Sequence, residues 1–264
     1  MNQLNWTISS LIMAISLNTM ASKDSVQKIP FELDDSFIFV NANLSNKDQE
    51  HKYRLLFDLG DYRAISLTEK VLQTVPHKKL DRYDTFQDYK GDVFKAQQFQ
   101  LPVIKLGEVV YESKVGSEDI QDSENLSPSP FGAIGAGLFS NQTLTINFRE
   151  QILEVSEQSL QQCYKFDPAS GAIVTEVELN GQRGLFIIDT GTKKTVINKE
   201  SSVINEPTDT LVAQSFKTKD FVINDFPVQV IDLNIPGIDG ILGQDVLKQH
   251  ALTVDFKNNC FKFS

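Results

Sequence analysis

The feature that most constrains this chain is that it repeats itself. Residues 132–148 begin Gly-Ala-Ile-Gly-Ala-Gly-Leu-Phe and end Thr-Leu-Thr-Ile-Asn-Phe, whereas residues 240–256 begin Gly-Ile-Leu-Gly-Gln-Asp-Val-Leu and end Ala-Leu-Thr-Val-Asp-Phe. The two segments align without a gap at a constant offset of 108 positions. Upstream of each lies a second match. Residues 53–60 read Tyr-Arg-Leu-Leu-Phe-Asp-Leu-Gly, and residues 184–191 read Gly-Leu-Phe-Ile-Ile-Asp-Thr-Gly. Each is an apolar run ending in Asp-x-Gly. The order of parts is the same in both halves: apolar strand, Asp-x-Gly, a variable middle, Gly-apolar-apolar-Gly, a short helical stretch and a final strand. Two matches in the same order imply two copies of one supersecondary unit.

The unit is read as β. Apolar or alternating runs rich in Val, Ile and Phe occur at 37–40, 53–57, 99–106, 151–155, 172–179, 184–188, 221–231 and 251–256. Turn pairs such as Asn180-Gly181 and Asn258-Asn259 punctuate them. Helix candidates are short, at 67–72 and 247–250, with a weaker one at 138–141. The expected architecture is all-β, with two tandem lobes at 28–158 and 162–264 joined through the polar Glu157-Gln158-Ser159. The acidic, Ser/Pro-rich stretch 117–130 reads as an exposed loop of the first lobe.

Composition narrows the function. The 264 residues carry 35 acidic against 25 basic side chains, a net charge of −10. That balance argues against nucleic-acid binding, which needs clustered Lys and Arg. Residues 1–21 hold a short uncharged apolar run followed by Thr19-Met20-Ala21, and are expected to be a cleaved export signal. No later segment reaches membrane-spanning length, so no membrane association is expected after cleavage, and the protein is placed in a periplasmic or secreted compartment. There the two cysteines, Cys163 and Cys260, would pair as a disulfide. With His51, His77 and His250 scattered, they make no convincing metal site. No phosphate-cradling loop or Gly-x-Ser-x-Gly elbow occurs, and no cofactor is implied.

The residues Phe186-Ile187-Ile188-Asp189-Thr190-Gly191, then Asp239-Gly240-Ile241-Leu242-Gly243, then Thr253-Val254-Asp255-Phe256, resemble the retropepsin-like aspartic peptidase family. The first half carries a degenerate version in Asp58-Leu59-Gly60 and Gly132-Ala133-Ile134-Gly135. Two such lobes in one chain look like the pepsin arrangement, a bilobed pseudo-twofold structure. The resemblance implies an aspartic endopeptidase, a monomer, acting on a peptide or protein substrate. Its catalytic pair would be Asp58 and Asp189, one per lobe, supported by Gly60, Gly191 and the hydroxyl of Thr190, which in the family reaches the partner lobe's backbone. A flap hairpin would lie at 86–99 and turn at Asp88-Tyr89-Lys90-Gly91, with Tyr89 able to touch substrate. The shorter interval between Asp189 and Gly240 leaves room for a lesser flap, if any, on the second lobe.

The first half departs from the family pattern. Leu59 stands where a Thr or Ser is usual, so one cross-lobe hydroxyl is missing. Asp61-Tyr62-Arg63 and Thr192-Lys193-Lys194 replace small residues, and the charges of Asp61, Arg63, Lys193 and Lys194 are expected to point outward. Two other readings therefore stand beside the endopeptidase: an inactive relative that binds peptides or proteins in its cleft, and a homodimer that pairs two Asp189 residues.

Overall fold

A computed structural model describes residues 25–44, 51–87, 91–119, 131–204 and 209–264. The export signal expected at 1–21, Tyr89 and most of the stretch 117–130 lie outside them. Strands dominate. The helices are single turns, at Glu69–Leu72 and Gln244–Leu247, with a 3-10 turn at Ala136–Phe139. Each α turn and the Ala136–Phe139 turn lies within a few residues of the expected position.

The second half closes into a barrel in the order Val174–Leu179, Gln182–Ile188, Gly240–Leu242, Val196–Asn198, Val222–Ile231 and Thr210–Lys217. Alternation along these strands sends Phe186, Phe216 and Phe226 inward, where they meet edge to face with centroids 6.1 and 5.3 Å apart. In the first half Phe57, Phe139 and Tyr111 do the same, at 6.0 and 5.9 Å.

The repeat is visible in the topology. Lys52–Asp58 pairs in parallel with Gly132–Gly135, and Gln182–Ile188 pairs in parallel with Gly240–Leu242. Strand Leu252–Asp255 pairs antiparallel with Thr143–Asn147, in a register that sets Thr253 opposite Thr145. Their hydroxyls are 2.9 Å apart, and the two residues are 108 positions apart, the repeat's own offset. Each copy of the unit therefore meets its counterpart at this pair, which marks a pseudo-twofold axis.

Both halves supply the surrounding sheet, in the order Tyr164–Lys165, Cys260–Phe263, Leu252–Asp255, Thr143–Asn147, Ile152–Ser156 and Gln27–Asp34. The polar 157–159 stretch is pinned beside it. The hydroxyl of Thr143 donates to the Gln158 carbonyl at 2.6 Å, and the Leu160 N–H donates to the buried Asp255 carboxylate at 3.0 Å. Cys163 and Cys260 form the expected disulfide, with Cα atoms 5.5 Å apart. A disulfide of this kind persists in oxidising compartments, in agreement with an extracellular protein. Among the described residues no helix is long and apolar enough to cross a membrane.

One expectation is corrected. The loop assigned to 117–130 begins later, because strand Val109–Glu118 continues through Ser117 and Glu118. Ser117 is fully buried. It pairs with Gln98 in one neighbouring strand and Ser66 in the other, and its hydroxyl donates to Asp84. Ladder bonds and a partly buried acceptor outweigh the polar composition that suggested a loop.

Candidate active site

Asp58 ends strand Lys52–Asp58, opposite Gly135 in the parallel ladder. Asp189 follows strand Gln182–Ile188, and its N–H donates to the Leu242 carbonyl at 3.1 Å. In each half the chain then turns at Asp-x-Gly, and the glycine N–H folds back on the carboxylate. Gly60 donates to Asp58 Oδ1 at 2.8 Å, and Gly191 donates to Asp189 Oδ1 at 2.6 Å.

The two turns interpenetrate. A Cβ on Gly60 would lie 2.9 Å from the Asp189 carboxyl, and one on Gly191 would lie 2.7 Å from Asp58 Oδ2. Only residues without a side chain fit there. This close approach brings the Asp58 and Asp189 carboxyl groups together within one chain. Burial, then the negative charges of Asp189 and Asp61, hold the Asp58 carboxyl well above the usual carboxylate range.

Thr190 is fully buried and spans the junction. Its hydroxyl donates to the Phe57 carbonyl at 2.9 Å and accepts from the Leu59 N–H at 2.9 Å. The counterpart residue, Leu59, is buried in the apolar core and has no hydroxyl to return the contact. Behind each turn a glycine passes close to the loop backbone. A Cβ on Gly135 would meet the Arg63 and Asp61 carbonyls at 2.3 and 2.4 Å, and one on Gly243 would meet the Lys194 and Thr192 carbonyls at 2.8 Å.

The charges expected to point outward divide. Lys194 is exposed, and Lys193 reaches Asp35 across the surface and lies over the Phe37 ring at 5.1 Å. Asp61 and Arg63 instead turn inward as an ion pair, their side chains only 8% and 13% exposed. The Asp61 carboxylate accepts from the Arg63 backbone N–H at 2.9 Å, from Nε at 2.8 Å and from Nη2 at 2.9 Å. The fork of the guanidinium satisfies a carboxylate that burial would otherwise penalise. Arg63 therefore sits on Asp61 and not on Asp58.

Strands Lys78–Gln87 and Val93–Leu106 form the expected hairpin, with Phe86 opposite Phe94 and their rings stacked 5.5 Å apart. The end of it nearest the turn leans on the loop after Asp58. Phe86 lies 4.8 Å from the Arg63 guanidinium, and the Tyr62 hydroxyl is 3.5 Å from the Thr85 carbonyl. Asp84, on the same strand, accepts from Gln98 at 2.6 Å and from Ser117. In the barrel of the second half the corresponding strands are Thr210–Lys217 and Val222–Ile231, with no described counterpart of Lys78–Gln87. Among the described residues no group of three or more His, Cys, Asp or Glu side chains is arranged to hold a metal ion.

Sequence reasoning allowed Arg63 to pair with Asp58 or Asp61 but did not place the Asp61–Arg63 pair inward, and it missed Asp84. The signal for the first was present, since an acid and a base two positions apart beside a tight turn can share one fork. For Asp84 there was none, because its partners are on two other strands.

No protein-family model and no curated protein matches this sequence. Among solved structures, the aspartic proteinase from Irpex lacteus superposes with a TM-score of 0.59 at 13% identity, covering 91% of this chain and 97% of that one. The fold is that of a pepsin-like aspartic proteinase. At this identity the likeness speaks to fold alone.

Proposed function

We propose that the protein is an exported, monomeric aspartic endopeptidase that hydrolyses peptide bonds with a water activated between Asp58 and Asp189. The observation that carries this is the juxtaposition of two carboxyl groups, one from each repeat, each cradled by the N–H of its own Asp-x-Gly turn and packed against the glycine of the other. The ionised member takes a proton from water as the water oxygen bonds to the peptide carbonyl carbon. The protonated member gives its proton to the carbonyl oxygen. Collapse of that gem-diol breaks the C–N bond: the proton held by the first carboxyl goes to the leaving nitrogen, and one hydroxyl proton returns to the second carboxylate as the product carbonyl forms. The substrate would lie extended between the lobes beneath the hairpin.

A second reading is favoured by Leu59 and by the Asp61–Arg63 pair, which depart from the family pattern beside the dyad. It is an inactive relative that binds a peptide or protein in the same cleft. Calorimetry with a hydroxyl-bearing peptide isostere of the tetrahedral intermediate separates the two. The peptidase reading expects one site per chain, with affinity lost in Asp58→Asn and in Asp189→Asn. Binding of ordinary peptides as tightly as the isostere, unaffected by either substitution, would favour the inactive binder.

A further inference from the structure

The two turns are not equivalent in what they offer their aspartates. Asp189 receives two donors, the Gly191 N–H at 2.6 Å and the Thr192 hydroxyl, which reaches Oδ2 at 2.7 Å. Asp58 receives one from its own loop, the Gly60 N–H at 2.8 Å. The repeat places Asp61 where the second half has Thr192, and an ionised carboxylate has no proton to donate. Arg63 supplies three N–H donors to the two Asp61 oxygens, an ion pair that fixes the carboxylate in this position.

The charged and titratable groups around the unit are few. Asp58 faces Asp189 across the junction and Asp61 on its own loop. Arg63 faces Asp61, Tyr62 and Asp119, which follows strand Val109–Glu118, while the Phe86 ring covers it from the hairpin. Tyr62 faces Asp84, Arg63 and Asp61. Asp58 thus lies between two carboxyl groups, and the guanidinium in this cluster is committed to Asp61. An ionised Asp189 is stabilised by two donors, and an ionised Asp58 would meet one donor and two negative neighbours.

We propose that Asp61, held by Arg63, is a positioning residue that keeps the shared proton on Asp58, which makes Asp58 the acid and Asp189 the base of the reaction described above. This rests on the dyad reading and adds to it the direction of proton flow. Asp189 accepts the water proton, and Asp58 gives its proton to the carbonyl oxygen. The elevated titration of Asp58 agrees in sign.

The test is carboxyl-carbon NMR of the full chain carrying 13C-labelled aspartate, with the two signals assigned from Asp58→Asn and Asp189→Asn. In the parent, Asp58 should remain protonated at a pH where Asp189 has already ionised. The double variant Asp61→Thr with Arg63→Met supplies the missing hydroxyl and leaves no unpaired guanidinium. Its Asp58 midpoint should fall by about one pH unit. The double variant Asp61→Asn with Arg63→Gln should move in the same direction. A parent whose proton sits on Asp189, or a folded double variant whose Asp58 midpoint stays within about 0.3 pH unit of the parent, overturns the proposal. The titration needs no turnover, so failure to cleave peptides would count against the peptidase reading and not against this assignment.

Discussion

Replacing Thr190 by Val keeps shape and burial and removes one hydroxyl. That hydroxyl holds two backbone groups of the other half, the Phe57 carbonyl and the Leu59 N–H, both at 2.9 Å in a fully buried setting. Each net hydrogen bond is worth about 1 kcal/mol, and each buried group left unpaired adds about 1–3 kcal/mol, partly offset by burying a methyl in place of a hydroxyl. The loss should come to about 2–4 kcal/mol. No second hydroxyl compensates, because the counterpart is Leu59. Urea unfolding followed by circular dichroism should show a lower midpoint with an unchanged slope. Thr190→Ser, which keeps the hydroxyl, should lose less than about 1 kcal/mol. A Val variant within about 0.5 kcal/mol of the parent would refute the claim that Thr190 ties the halves together.

Gly191→Ala would put a methyl 2.7 Å from Asp58 Oδ2, and Gly60→Ala would put one 2.9 Å from the Asp189 carboxyl, so each should cut turnover by about 100-fold in a folded protein; unchanged turnover contradicts the interpenetrating turns. The Asp58 carboxyl titrates above its unfolded value of 3.8, so its contribution to stability is fully present below that pH and is lost as pH rises through the folded value. Asp58→Asn should therefore unfold at higher urea than the parent near pH 7, with the advantage vanishing near pH 3; an advantage that grows towards acid reverses the sign and the argument. The Cys163–Cys260 bond closes a separation of 97 residues. Replacing both by Ser should cost roughly 2–5 kcal/mol by denaturant titration, and a cost below about 1 kcal/mol would show that the sheet alone fixes this edge.

How far the sequence could be read depends on what each feature needs. The offset between residues 132–148 and 240–256 is local information repeated twice, and it reappears as the Thr145–Thr253 contact on the pseudo-twofold axis. The Asp-x-Gly turns were legible for the same reason, since a turn is specified by adjacent residues. Pairing between distant strands was not. Nothing local says that Gln27–Asp34 lies against Ile152–Ser156, or that Ser117 is buried beside Asp84. Side-chain direction was also hidden. Asp61 and Arg63 read as solvent charges because charged residues beside a turn usually are, and only the fork geometry shows them buried on each other. Among the described residues the barrel of the second half has no strand like Lys78–Gln87, as the shorter interval after Asp189 allows.

A peptidase dyad of Asp58 and Asp189 is tested most directly by a cleavage assay of the purified protein against a mixed peptide library between about pH 3 and pH 7, beside Asp58→Asn and Asp189→Asn. It predicts cutting by the parent and none by either variant, each shown to be folded. A folded parent that cuts nothing, or an Asp58→Asn variant that cuts as well as the parent, would contradict a dyad built from both halves.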